Sequence, residues 1–159
     1  MCPHAASLPA RRERLVEFLG HVRPWAIADV QLTPGEGVAH FHLALPARQE
    51  WVCPECLAPV TIHDYAEREW RHMDLFGLRT FVHSRVPRLE CTRHGIRRLP
   101  VPWAGRTSRF TTLFETFAYD LAAITSVNAM ATRMGLSRDE AQGIVARMRR
   151  VLTAEGDRA

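Results

Sequence analysis

The sequence contains no lysine: all 21 of its formally basic side chains are arginine. Arginine presents a planar fork that fits phosphate oxygens and guanine edges. With a net charge of +4 and a pI near 9.3, the composition is compatible with a nucleic acid partner but does not establish one. Long apolar runs are missing as well. No stretch approaches the ~20 residues needed to cross a bilayer, so no membrane partner is expected. The opening, MCPHAASLPARRERLVEFLG, lacks the order of charged stretch, apolar stretch and small-residue cleavage site that marks a secreted chain. A cytoplasmic location is the expectation. There is neither an internal repeat nor a low-complexity segment, and the 47% hydrophobic content is too high for a disordered chain.

Cysteine is scarce, and its placement carries the argument. Of Cys2, Cys53, Cys56 and Cys91, the first sits at the terminus and reads as incidental. Disulfides are rare in a reducing cytosol. Cys53 and Cys56 form a C-x2-C pair in WVCPECLAPV. A redox dithiol of that spacing opens a helix, whose dipole lowers the thiol pKa. Pro59 follows too closely for a helix here, and no strand-helix-strand pattern surrounds the pair. A zinc deaminase needs H-x-E upstream of P-C-x-x-C, and none of the eight histidines has a glutamate two residues on. A second pair of ligands does exist: Cys91 and His94 in LECTRHGIRR, separated from Cys56 by 34 intervening residues. Two such knuckles complete a tetrahedral Cys3His shell. Four protein ligands leave no position for water, so Zn2+ held by Cys53, Cys56, Cys91 and His94 would be structural. His40, His42, His63, His72 and His83 lie on alternating strand faces and read as surface or packed rings. His63 or His72 is the alternative fourth ligand should the turn at His94 fold otherwise.

Hydropathy periodicity divides the chain. LPARRERLVEFLGHV has apolar residues at Leu8, Leu15, Phe18, Leu19 and Val22, a short amphipathic helix stopped by Pro24. TPGEG is a turn between strands at Ala26–Thr33 and Val38–Leu45. The second alternates, with Phe41, Leu43 and Leu45 on one face and His40, His42 and Ala44 on the other. Prolines and glycines keep Trp51–Leu99 short-stranded, with strands expected near Val60–His63, Arg68–His72 and Leu78–Leu89. LPVPWAGRTSR reads as an extended linker.

From Phe110 the period becomes helical. Phe110, Leu113, Phe114, Phe117, Leu121 and Ile124 share one face of a first helix. SVNAMATRMG is a second helix ending at Gly135. SRDEAQGIVARMRRVLTA is a third, opened by a capping box of Ser137 and Glu140, with Ala141, Ile144, Val145, Met148 and Val151 as its buried stripe. Ala131 is small where the helices cross, Gly135 suits a left-handed turn, and Leu136 plugs the turn. The pair is a helix-turn-helix or a plain helical hairpin, and the first is favoured. Arg138, Asp139, Gln142 and Gly143 then face outward at the start of helix three, the end that enters a major groove. Arg138 and Gln142 are the candidates for base readout. Arg147, Arg149 and Arg150 are candidates for phosphates, with Arg133 on the preceding helix and Arg106 and Arg109 in the linker.

In order, C-x2-C, REWRHMDLFGLRTFVHSRVPRLEC, HG, VPWAG, SRFTTLFETFAYDL and the helix-turn-helix resemble the N-terminal region of the ISL-three insertion-sequence transposases. The resemblance runs from Trp51 to about Leu152. It implies a zinc finger and a helix-turn-helix that bind the inverted repeats at transposon ends in a bacterial cell, at the nucleoid. It also implies a following catalytic domain with an Asp-Asp-Glu metal site. This sequence departs there, ending at LTAEGDRA.

The resulting expectation is an α+β chain. Residues 1–50 form a lead-in helix and hairpin, 51–99 a zinc-ribbon-like β module, 100–109 a linker, and 110–154 a three-helix DNA-binding module. The expected function is transposon-end binding on double-stranded DNA, with no catalytic residues and no enzymatic activity. The alternatives are a stand-alone DNA-binding regulator, or a zinc-ribbon interaction module that contacts itself or an intact transposase.

Overall fold

A computed structural model describes residues 23–47 and 49–156. The amphipathic helix expected over Leu8–Val22 lies outside the described residues, as does Cys2. The chain is α+β and falls into two compact units, divided between Thr111 and Thr112.

The first unit is a five-stranded sheet: β1 (Ala26–Thr33), β2 (Val38–Ala44), β3 (Thr61–Leu75), β4 (Leu78–Cys91) and β5 (Gly95–Arg98). The spatial order is β1-β2-β4-β3, and β5 also pairs with β4. β1 and β2 form an antiparallel hairpin across a 3₁₀ turn at Pro34–Glu36, which Gly37 ends with a left-handed φ of 67°. As the alternation demands, Ala39, Phe41 and Leu43 are buried, and His40 and His42 are only half-covered.

Two of the expected strands are one. Val60–His63 and Arg68–His72 belong to the 15-residue β3, which pairs antiparallel with the 14-residue β4. No glycine or proline interrupts Thr61–Leu75, so nothing local stops the strand. A bulge between Ile62 and Asp64 absorbs one residue in passing. Pro87 lies inside β4, where a proline normally ends a strand. β2 pairs with β4 only as far as Ser84, and β5 pairs with it only from Arg88 on, so Pro87 falls in the gap between them. Its carbonyl faces that same side and accepts from Leu99 N at 2.9 Å. The missing N–H therefore leaves no broken ladder bond toward β3.

The segment after β5 packs onto this sheet. Trp103 stands edge-on to Trp25 (centroids 5.1 Å apart) and to Trp70 (5.4 Å). The three indoles join Ile27, Phe41, Leu43, Val82 and Val86 in one core. Edge-to-face pairs of this kind add about 0.5–1.5 kcal/mol each beyond the area they bury. Ser108 and Phe110 are buried too, and the Arg71 and Thr111 N–H groups bond the Arg109 and Arg71 carbonyls.

The second unit is three helices: α1 (Thr112–Ile124), α2 (Val127–Met134) and α3 (Arg138–Gly156). Ser126 caps α2 by accepting from Ala129 N at 3.1 Å. Gly135 ends it at φ 64°, and the Leu136 N–H returns to the Ala131 carbonyl at 2.9 Å. Ser137 and Glu140 form the reciprocal capping box, at 2.9 and 3.2 Å. Ala141, Ile144, Val145 and Met148 are buried as expected, but Val151 is exposed. α3 has 19 residues against 13 and 8 in its partners, so its last turns outrun them. α1 is rotated from the expected face. It buries Phe114, Glu115 and Ala118, and leaves Leu113, Phe117 and Ile124 exposed. The small Ala118 allows close approach, and Glu115 has a cationic partner inside the bundle.

Candidate functional site

The β3–β4 hairpin explains how 34 intervening residues can separate two halves of one site. β3 starts just after the first cysteine pair, and β4 ends on Cys91. Because the strands run antiparallel, with Thr61 opposite Glu90, the chain leaves and returns to the same end. A β-strand advances ~3.3 Å per residue, so the long loop is a ribbon pointing away from a closed base.

Each half is a knuckle of the same form. In the first, Cys53 N donates to the Ala58 carbonyl at 2.8 Å and Leu57 N to the Cys53 carbonyl at 2.9 Å. The residue after each knuckle's second ligand takes a left-handed backbone: Leu57 (φ 59°) after Cys56 and Gly95 (φ 65°) after His94. This reverses the chain within one turn and turns both side chains of a knuckle inward.

The ligand atoms of Cys53, Cys56, Cys91 and His94 all lie within 4.8 Å of one another. Cys56 Sγ is 3.8 Å from Cys91 Sγ, and His94 Nδ1 is 3.6 Å from the sulfurs of both Cys53 and Cys91. A tetrahedral zinc with Zn–S of ~2.3 Å and Zn–N of ~2.0–2.1 Å sets S···S near ~3.8 Å and S···N near ~3.5 Å. The donor set and its spacing therefore fit a structural zinc.

The thiol electrostatics point the same way. Burial opposes ionisation of Cys53, but N–H groups of Glu55 and Cys56 and the His94 ring outweigh it and hold the thiol below its ordinary value. The Arg93 and His94 N–H groups likewise lower Cys91. At Cys56 the Ala58 N–H lowers the thiol, but burial and the neighbouring Cys53 and Cys91 outweigh it and raise it. The shifts thus favour ionisation at Cys53 and Cys91 and oppose it at Cys56, and a bound cation would favour the thiolate at all three. His63 lies instead by Asp64 and Glu90, and His72 is buried with Nδ1 2.8 Å from Thr111 Oγ1. Neither replaces His94.

On the helical unit, Arg138 and Gln142 are exposed at the start of α3, as are Arg133, Arg149 and Arg150. Arg106 and Arg109 are exposed on the first unit. Arg147, expected at phosphates, instead reaches Glu115 across the bundle with Nε and Nη2, at 2.9 and 2.7 Å. No sequence pattern singles out Arg68 and Arg98, which line a groove of about 290 Å³ with Arg106, beside the first knuckle. Strand alternation puts Arg68 on a face but cannot say which arginines have a carboxylate opposite.

Comparison with known proteins bears on both units. Residues 49–94 match the zinc-finger of transposases IS204/IS1001/IS1096/IS1165. Residues 99–148 match the helix-turn-helix domain of transposase family ISL3. Two relatives, each a transposase for insertion sequence element IS1557 from a strain of Mycobacterium tuberculosis, are 31% identical over 81 residues. The match covers 51% of this chain and 18% of each relative, so the chain spans under a fifth of their length. No solved structure matches the chain. Among the described residues no helix is long and apolar enough to cross a membrane.

Proposed function

We propose that this chain, which belongs to the ISL3 family of transposases through its zinc-finger and helix-turn-helix domains, uses them to grip the inverted repeats at the ends of a mobile element. One observation carries the reading: the start of α3 is capped by Ser137 and Glu140 yet presents Arg138 and Gln142 bare to solvent. A rigid helix end with a guanidinium and an amide is suited to guanine and adenine edges in a major groove. Arg133, Arg149 and Arg150 supply phosphate contacts around it. Cys53, Cys56, Cys91 and His94 hold one zinc, which locks the base of the β3–β4 ribbon. The site of action is the bacterial cytoplasm, at the nucleoid.

In this reading the two domains bind DNA and do not cut it. Strand transfer of the transposase kind needs metal ions clamped by carboxylates around the displaced phosphate. Four protein ligands close the zinc shell to water, and Asp64, Glu67 and Glu115 are each paired with an arginine. The test is a mobility shift of terminal-repeat DNA and of random duplex, with magnesium or manganese present. The expected result is tighter binding to the repeat, with no nicks. Equal binding to both duplexes removes the end-recognition reading, and metal-dependent nicking removes the non-enzymatic one.

A second reading, contact with another copy or with an intact transposase, draws on α1. Its exposed Leu113, Phe117 and Ile124 form an apolar stripe with the spacing of one helix face. Light scattering with and without DNA separates the two readings.

A further inference from the structure

Leaving aside Arg23, Arg79 and Arg93, which have no carboxylate in ion-pair reach among the described residues and do not line the groove described below, the described arginines of the first unit divide into two groups. Arg71, Arg85, Arg88 and Arg97 each face a carboxylate: Asp74, Glu67, Asp64 and Glu55 respectively. Arg68, Arg98, Arg106 and Arg109 have no carboxylate within ion-pair reach among the described residues. Three of these four line the same groove, between the first zinc knuckle and the tryptophan-bearing segment. Its other walls are Pro54, Trp70, Val86, the 99–101 stretch, Ala104 and Gly105. The one acid in it, Glu55, is already bonded by Arg97 Nε at 3.0 Å.

The groove is prepared for an anion. Arg68 is held in place by a bond from Nη2 to the Ser108 carbonyl at 3.1 Å, and its guanidinium lies 5.2 Å from the Trp70 ring centre. That leaves most of its five N–H donors unused. Burial, then the like charges of Arg98 and Arg109, push its pKa down, a repulsion that an anion between them would relieve. Arg98 and Arg106 are exposed at the mouth.

We infer that the groove lined by Arg68, Arg98 and Arg106 is a phosphodiester-binding site through which the zinc unit holds the DNA backbone without regard to sequence. Apart from the arginines and the paired Glu55, the walls are apolar, including the Trp70 ring, and offer few polar groups for reading base edges, whereas guanidinium forks match phosphate oxygens. The inference deepens the DNA-binding reading and rests on it in taking a duplex as the ligand. It does not depend on the start of α3.

The experiment uses the full zinc-loaded chain, a short random-sequence duplex and a salt titration. Arg98→Gln with Arg106→Gln should weaken binding to random and terminal-repeat DNA by the same factor. The slope of log affinity against log salt should flatten by about 1.8, at ~0.9 for each phosphate no longer neutralised. Arg98→Lys with Arg106→Lys, which keeps the charge, should retain most of the slope, whereas a folding defect would not be restored with it. Zinc content should be unchanged in both. Arg138→Ala should remove preference for the repeat and leave the random-duplex slope largely intact, so failure of end recognition is distinguishable from failure of this site. An unchanged slope in the Gln pair overturns the inference. So does a groove that binds adenosine monophosphate or inorganic phosphate, with loss of that binding in the Gln pair, while duplex affinity stays at the wild-type level.

Discussion

Arg147 Nε and Nη2 both donate to one oxygen of Glu115, at 2.9 and 2.7 Å, tying α3 to α1. The Glu115 side chain is 8% exposed and that of Arg147 32%. Removing the arginine would take two charge-assisted hydrogen bonds away from a buried carboxylate. Arg147→Ala should therefore lower stability by about 1–2 kcal/mol, the partial exposure of the arginine keeping the figure modest. Urea unfolding measures it, and Glu115→Gln in the same background should recover part of the loss. Unchanged stability with a flattened DNA salt slope would return Arg147 to the phosphates.

One zinc per chain is expected by atomic emission, and cobalt in its place should show tetrahedral ligand-field bands. Cys91→Ser should abolish stoichiometric binding, because the opposing knuckle loses its sulfur donor. Thiolates and a neutral imidazole bind the metal, so zinc should leave as the pH falls and protons compete. A full complement of zinc in the Cys91→Ser protein would refute the ligand set.

Asp64 and Arg88 face each other across β3 and β4 in a bidentate pair. The Arg88 hydrogen bonds hold the Asp64 carboxyl below its ordinary value of 3.8, against the opposing effect of burial. A depressed folded-state pKa gives stability that is fully present above the unfolded value and lost as pH falls through the folded one. Asp64→Asn should thus be less stable than the parent at neutral pH, with the difference shrinking below about pH 4. Parallel melts of the two proteins at each pH measure the difference, since zinc loss in acid affects both. A difference independent of pH would mean the pair is not the cause.

The β3–β4 ribbon turns through Phe76 and Gly77, at φ 56° and 74°. A two-residue turn with both φ positive is the type I′ hairpin, which favours Asn-Gly. Phe76 is 78% exposed, so its ring gains little from packing while the backbone is strained. Phe76→Asn should raise stability by about 0.5–1 kcal/mol, read from the thermal midpoint. A lower midpoint would show that the ring has a partner in solution.

Arg138→Ala should cost about 1–3 kcal/mol on the terminal repeat and relax its sequence preference, whereas Arg150→Ala should weaken all duplexes alike. Competition binding with base-substituted repeats distinguishes the two. Equal losses on specific and random DNA for Arg138→Ala would remove it from base readout.

The sequence alone determined much of this protein because the signals involved are local. Ligand spacing marks Cys53, Cys56, Cys91 and His94, and alternation marks the inward residues of β2. The Ser137–Glu140 box and Gly135 fix where two helices stop and start, since capping depends on residues three apart. Tertiary structure decided what depends on distant partners. Pro87 could enter β4 only because β2 stops short of it and β5 starts beyond it. Trp103 left its proline-marked segment for the core because Trp25 and Trp70 were there to receive its edge. The face that α1 buries includes Glu115, whose partner Arg147 lies 32 residues on, and periodicity cannot see such a partner. The same holds for the arginines. Which of them are neutralised and which remain open to an anion depends on strand register. That register puts Asp64 opposite Arg88 and Glu67 opposite Arg85, and leaves Arg68 and Arg98 with no carboxylate in reach among the described residues.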